Sequence, residues 1–137
     1  MKLKKILLST NVSKTANDWT SLILRLGFGI LMIPHGWGKL QNFSAYSEKF
    51  ISFMGLGSSF SLALCIFAEL ICSALLIIGL FSRFATIPLL ITTFVIMNFH
   101  NWILFGDYDL VPAFMLGYFS ILILGPGKYS LDHFLSK

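Results

Sequence analysis

With 137 residues the chain has the length of one ordinary domain, yet 56% of it is hydrophobic, only 12% is charged, and its mean hydropathy is +0.82. That composition excludes a soluble globular domain and points to an integral membrane protein. The net charge of +4 forms no basic stripe, which excludes nucleic acid as a partner, and most Lys and Arg residues flank apolar runs, where they act as topology signals.

Met1-Lys2-Leu3-Lys4-Lys5-Ile6-Leu7-Leu8 imitates the start of a signal peptide, but the apolar run after the lysines stops at Ser9, and Lys14 and Asp18 follow. Residues 1–18 are therefore expected to be a retained basic tail. Four apolar segments come next, spanning about 19–40, 59–80, 84–105 and 108–125, each near the ~20 residues that cross a bilayer core. Backbone groups in lipid must be satisfied within their own segment, so these runs predict helices rather than an open sheet. The expected fold is all-α: an integral membrane four-helix bundle over residues 19–132, with 133–137 a second short tail.

The first span carries Arg25, His35, Lys39 and four glycines in an otherwise lipid-soluble run, a costly insertion that must serve structure or chemistry. Arg25 lies about 9 Å inside Trp19 at the helical rise, within snorkelling reach of a headgroup. Glu69, the other charge inside an apolar run, is the alternative partner for it. Pro34 can kink this helix, and Gly36 and Gly38 allow close approach of a neighbour. The glycine string follows no strand and has no nucleotide-binding spacing. After it, Phe43, Tyr46, Phe50, Phe53 and Met54 recur at helical spacing, with Ser44 available as an N-cap, and predict a short interfacial helix ended by Gly55-Leu56-Gly57-Ser58.

In the second span Cys65, Glu69, Cys72 and Ser73 share one face, which should look into the bundle, and Glu69 near the midplane must be protonated or paired. Cys65 and Cys72 lie about 10 Å apart along the axis, too far to bridge. The link Gly79-Leu80-Phe81-Ser82-Arg83 makes spans two and three antiparallel neighbours. Thr86, Thr93, Met97 and His100 then recur at near-heptad spacing, and His100 comes to the same depth as His35, so the two imidazoles can face one another at the outer end. Ordinary interfacial histidines are the plainer reading, and no metal is expected, because two histidines and a midplane acid have no recognised ligand spacing.

Lys2, Lys4, Lys5, Lys14, Arg83, Lys128 and Lys137 fall on one side, against Lys39 and Lys49 on the other, where Asp107 and Asp109 also lie. Both termini are therefore expected on the cytoplasmic side of a bacterial inner membrane, with Trp19 and Tyr129 at the inner interface and Trp37 and Trp102 at the outer one.

Arg25-Leu26 with Gly29, Pro34-His35-Gly36, Lys39-Leu40, Glu69, Gly79-Leu80-Phe81-Ser82-Arg83, His100 and Gly125-Pro126-Gly127-Lys128-Tyr129-Ser130-Leu131-Asp132 together resemble the DoxX family of small bacterial membrane proteins, over about residues 25–132. The resemblance implies a four-helix membrane protein related to DoxD, the membrane subunit of thiosulfate:quinone oxidoreductase, and hence an oxidoreductase role with a quinone as the expected cofactor. No haem, flavin or iron-sulfur motif accompanies it, so electrons would come from a quinone or a redox partner subunit. For such a site Glu69, His35 and His100 are the candidate catalytic, proton-exchanging groups, and Arg25, Trp37, Lys39, Trp102 and Tyr118 the candidate binding residues. Two other classes stay open: a non-catalytic membrane scaffold of a redox or stress-response complex, in which the polar groups only glue helices together, and a proton-coupled transporter of a small solute. Self-association also stays open.

Overall fold

The computed structural model describes residues 1–107 and 110–137, so the predicted start of the fourth span at Tyr108, and the loop residue Asp109, lie outside the described residues. Among the described residues the secondary structure is entirely helical: α1 (Lys2–Leu7), α2 (Lys14–Gln41), α3 (Phe43–Tyr46), α4 (Ser58–Ile78), α5 (Ser82–Phe99), α6 (Leu110–Leu124) and α7 (Leu131–Leu135). The four long helices form a ring in which α2 packs on α4 and α6, and α5 closes the opposite side against the same two. Consecutive helices run in opposite directions, so the start of α2, the α4–α5 turn and the C-terminal segment meet at one end, here the termini end.

Each helix turns one stripe inward. On α2 the buried residues Ser21, Arg25, Gly29, Met32 and Gly36 are spaced three or four apart, the period of a single helical face. Leu62, Leu76, Leu89, Met97, Tyr118 and Ile121 are buried at the centre. The outward face is the reverse of a soluble protein's, since Ile23, Ile30, Ile71, Phe84, Phe94 and Phe119 are all exposed, and an apolar belt of that extent needs hydrocarbon as its solvent.

Where helices begin and end differs from the sequence expectation at several points. α2 starts at Lys14 rather than Trp19, because the Ser13 hydroxyl caps it by accepting from the Ala16 amide at 3.1 Å, so the last part of the predicted tail is helix. The predicted interfacial helix is a single turn at Phe43–Tyr46, uncapped by Ser44; beyond it Phe50, Ile51 and Phe53 fold down against the bundle, an arrangement one continuous helical face could not provide. α5 stops at Phe99 instead of Phe105, since Asn101 and Trp102 take left-handed φ values of 54° and 57° and the Trp102 amide turns back to the Met97 carbonyl at 2.9 Å. The expected tail at 133–137 is partly helical too: α7 runs into it as far as Leu135, capped by the Ser130 hydroxyl, which accepts from the His133 amide at 3.2 Å.

Two local features shape the interior. α4 contains a π-helical turn at Ala68–Cys72, the kind of bulge that accumulates at functional sites, and it carries Glu69. Gly36 of α2 lies against this turn so closely that an added Cβ would sit 2.8 Å from Leu70 Cγ and 2.9 Å from Glu69 Cβ.

Candidate functional site

Arg25 and Glu69, considered as partners from the sequence, are not paired. Arg25 is completely buried, and instead of snorkelling it turns its guanidinium to main-chain carbonyls: Nη1 donates to Leu76 O at 3.2 Å and Ile77 O at 3.5 Å, and Nη2 to Tyr129 O at 2.6 Å. The first two acceptors belong to the last turn of α4, whose carbonyls lack helical partners and carry the negative end of the helix dipole. Gly79, at φ +75°, ends α4 in the left-handed conformation, and an added Cβ there would run into Arg25 Nη1 and stand 2.6 Å from Ser130 Cβ. The C-terminal segment completes the knot. Asp132 accepts from the Phe81 and Ser82 amides at 2.7 and 2.9 Å, so it caps α5 from 50 residues away, while its own amide donates to Gly79 O at 2.9 Å. Arg25 is thus the centre of a structural clamp that ties α2, the α4–α5 turn and the chain end together.

Glu69 lies at the other end of α2's buried stripe. Its carboxylate is 2% exposed and accepts from Lys39 Nζ at 2.9 and 2.7 Å through both oxygens, with the Cys65 thiol donating to Oε1 at 3.4 Å. This is the one ion pair found among the described residues. The physical reason for the exchange of partners is distance along the helix. Glu69 is seven residues, about 10 Å, from the carbonyl that Arg25 holds, whereas the π turn presents Glu69 toward Gly36 and Lys39. Lys39, 23% exposed, reaches inward from near the end of α2.

The ion pair borders a cavity of about 660 Å³ at the end of the bundle away from the termini. His35, Lys39, Glu69 and His100, all singled out from the sequence, line it together, with Met32, Phe50 and Phe114 among its apolar walls. The His35 ring stands perpendicular to Phe114 at a centroid distance of 5.8 Å, which fixes its plane. Tyr46, Lys49, Thr93 and Asp107 also line the cavity. None of these four stands out as a site residue in the sequence, although Lys49 and Asp107 lie in the loops at the same end as both histidines. Met32, His35 and Lys39, spaced three and four apart on one helical face, were the legible signal for the α2 wall.

The remaining candidates lie elsewhere. Trp37 is on the outer surface of α2, and Arg25 is in the clamp. Trp102 packs against Phe94 at 5.3 Å and borders a separate groove between α5 and α6. Tyr118 is wholly buried in the core, stacked on Phe114 at 5.9 Å, away from the cavity lining. Among the described residues no group of three or more His, Cys, Asp or Glu side chains is placed to hold a metal ion.

A ring of helices with an apolar exterior, two members long and apolar enough to cross a bilayer and ionisable groups gathered inside, defines a helical membrane protein with an internal polar site. The chain belongs to the DoxX family, whose model, described as DoxX, matches residues 20–102 and so takes in Arg25, His35, Lys39, Glu69 and His100. Over 131 residues it is 29% identical to the inner membrane protein YqjF of Escherichia coli (strain K12), a match that covers 90% of this chain and 98% of that relative. No solved structure matches the chain significantly.

Proposed function

We propose that this protein is the quinone-binding membrane subunit of an oxidoreductase, with the quinone headgroup held in the cavity bordered by His35, His100 and the Lys39–Glu69 pair. The observation that carries this reading is the convergence of those four side chains, drawn from α2, α4 and the end of α5, on one cavity with apolar walls. A quinone headgroup needs that combination, an apolar and aromatic slot with donors at each carbonyl. A quinone held there would supply two-electron, two-proton redox chemistry, with a partner subunit as the source of the electrons.

The chain's own residues do the rest. His35 and His100 donate hydrogen bonds that orient the head, and Glu69, screened from bulk water and held by Lys39, exchanges protons with the site. Transport of a solute through the bundle is the weaker reading, because a path past Glu69 would have to displace Leu76, Leu89, Tyr118 and Ile121, all fully buried.

The test measures quinone per mole of folded protein after purification from the membrane in mild detergent. His35→Ala and His100→Ala should each lower it about three- to tenfold, the worth of one hydrogen bond, while Glu69→Gln should leave it nearly unchanged and slow proton-coupled turnover. Equal ratios in the wild type and all three variants, or no quinone in any of them, would sink the quinone site.

The orientation proposed for the subunit places both termini in the cytoplasm of a bacterial inner membrane and the cavity toward the opposite face, following the excess of Lys and Arg at the termini end. A cysteine introduced at Asn42 should be labelled by an impermeant maleimide on intact cells, and one at Ser136 only after permeabilisation. The reverse pattern would invert the assignment.

A further inference from the structure

We infer that the cleft between the first half of α4 and α5 is the slot through which the polyprenyl tail of a membrane quinone leaves the headgroup cavity for the bilayer. The inference rests on the quinone reading above and adds to it the class of ligand: a long-tailed quinone that enters sideways from the lipid, rather than a small soluble one.

Past the π turn the two helices part, and a second space of about 260 Å³ opens between them, roofed by Phe50, Ile51 and Phe53. It abuts the headgroup cavity, since Phe50, Ile51, Thr92 and Ile96 line both. Its inner wall includes Cys65, whose thiol is already directed to Glu69 at 3.4 Å. At its outer rim Leu64, Phe67 and Ile91 are 40, 49 and 47% exposed on the surface that faces hydrocarbon. The cleft therefore runs from the wall of the ionisable site to the lipid.

Its chemistry selects the occupant. Every polar side chain in its lining is already satisfied: Ser61 donates to Gly57 O at 2.6 Å and accepts from the Phe53 amide at 2.8 Å, Thr92 donates to Pro88 O at 2.9 Å, and Cys65 serves Glu69. A polar group entering here would lose its hydration and gain no partner, whereas a hydrocarbon chain loses nothing. An apolar cavity of about 150 Å³ already takes up benzene, so the first branched units of a prenyl chain fit this one. Moving a tail from lipid to an apolar slot gains little free energy, because both surroundings are hydrocarbon. The slot matters by letting the head sit in the cavity without bending its tail back on itself.

The test uses the full-length protein in nanodiscs and two quinones with the same head, one bearing a single isoprene unit and one bearing a long polyprenyl tail. Leu64→Trp and Ile91→Trp fill the cleft from its two walls at positions whose exposure tolerates a larger side chain. Each should weaken binding of the long-tailed quinone at least about tenfold, the cost of overfilling a slot, and leave the short-tailed one within about twofold, which also shows that the variant is folded. If both quinones bind both variants as they bind the wild type, the tail leaves elsewhere and only the headgroup site stands. Equal weakening of the two quinones would show that the substitutions act on the head, and the slot is overturned. Loss of copurifying phospholipid from the variants with long-tailed binding intact would assign the cleft to an acyl chain instead. If the wild type binds neither quinone, the function proposed above fails first and the slot falls with it.

Discussion

Arg25→Ala should destabilise the protein by about 3–5 kcal/mol, the largest loss expected of any single truncation in the bundle. The substitution removes three hydrogen bonds from a charged donor, leaving Ile77 O and Tyr129 O without that partner and Leu76 O with only the Gly79 amide at 3.2 Å. It also empties the space that Gly79 is shaped to leave. Arg25→Lys should recover only part of the loss, since a single ammonium cannot reproduce the planar fork that reaches α4 and the C-terminal segment together. Reversible unfolding in mixed micelles, followed by circular dichroism, measures both. A loss below about 1 kcal/mol for the alanine variant would show that the carbonyls find other donors and that the clamp is not held by this residue.

The second large effect belongs to the Lys39–Glu69 pair. Lys39→Met leaves the Glu69 carboxylate buried without its cation, and we expect a loss of about 2–3 kcal/mol, below the range for a fully enclosed pair because Lys39 is 23% exposed. Adding Glu69→Gln to that variant should restore most of the stability, since the stranded charge is then gone. A double-mutant cycle on Arg25→Ala and Glu69→Gln should be additive within about 0.5 kcal/mol, because the two side chains share no partner. Coupling of more than about 1 kcal/mol between Arg25 and Glu69 would contradict the partner assignments described here.

Much of the architecture was legible because the bilayer leaves a chain few choices. Apolar runs near twenty residues must be helices, a five-residue link makes its flanking helices antiparallel, and buried stripes at helical spacing set which side turns inward. Arg25 and Glu69 were recognisable as exceptions for the same reason, since a charge in an apolar run is expensive wherever it lies. The common depth of His35 and His100 also followed from counting residues back from the outer ends of two helices that run the same way, and the structure brings both to the cavity that Glu69 borders.

Partner choice was a different matter. Counting along the chain places a residue at a depth and on a face, but the acceptors that hold Arg25 are main-chain carbonyls, which every residue carries and no sequence pattern marks. Tyr129 O comes to Arg25 only because the chain folds back after α6, and Asp132 caps a helix 50 residues upstream for the same reason. The π turn at Ala68–Cys72 has no residue signature either, yet it carries the Glu69 that Lys39 holds, and the cleft between α4 and α5 opens beside it. Tyr118 and Trp37 carried the right chemistry for a binding wall and were placed elsewhere by a single helical rotation, one into the packed core and the other onto the outer surface. Composition and periodicity alone determined that this protein is a helical membrane bundle with costly charges inside. Which of those charges forms a clamp and which borders a cavity was decided by tertiary contacts, because the choice rests on backbone geometry and close approach between distant segments rather than on residue identity.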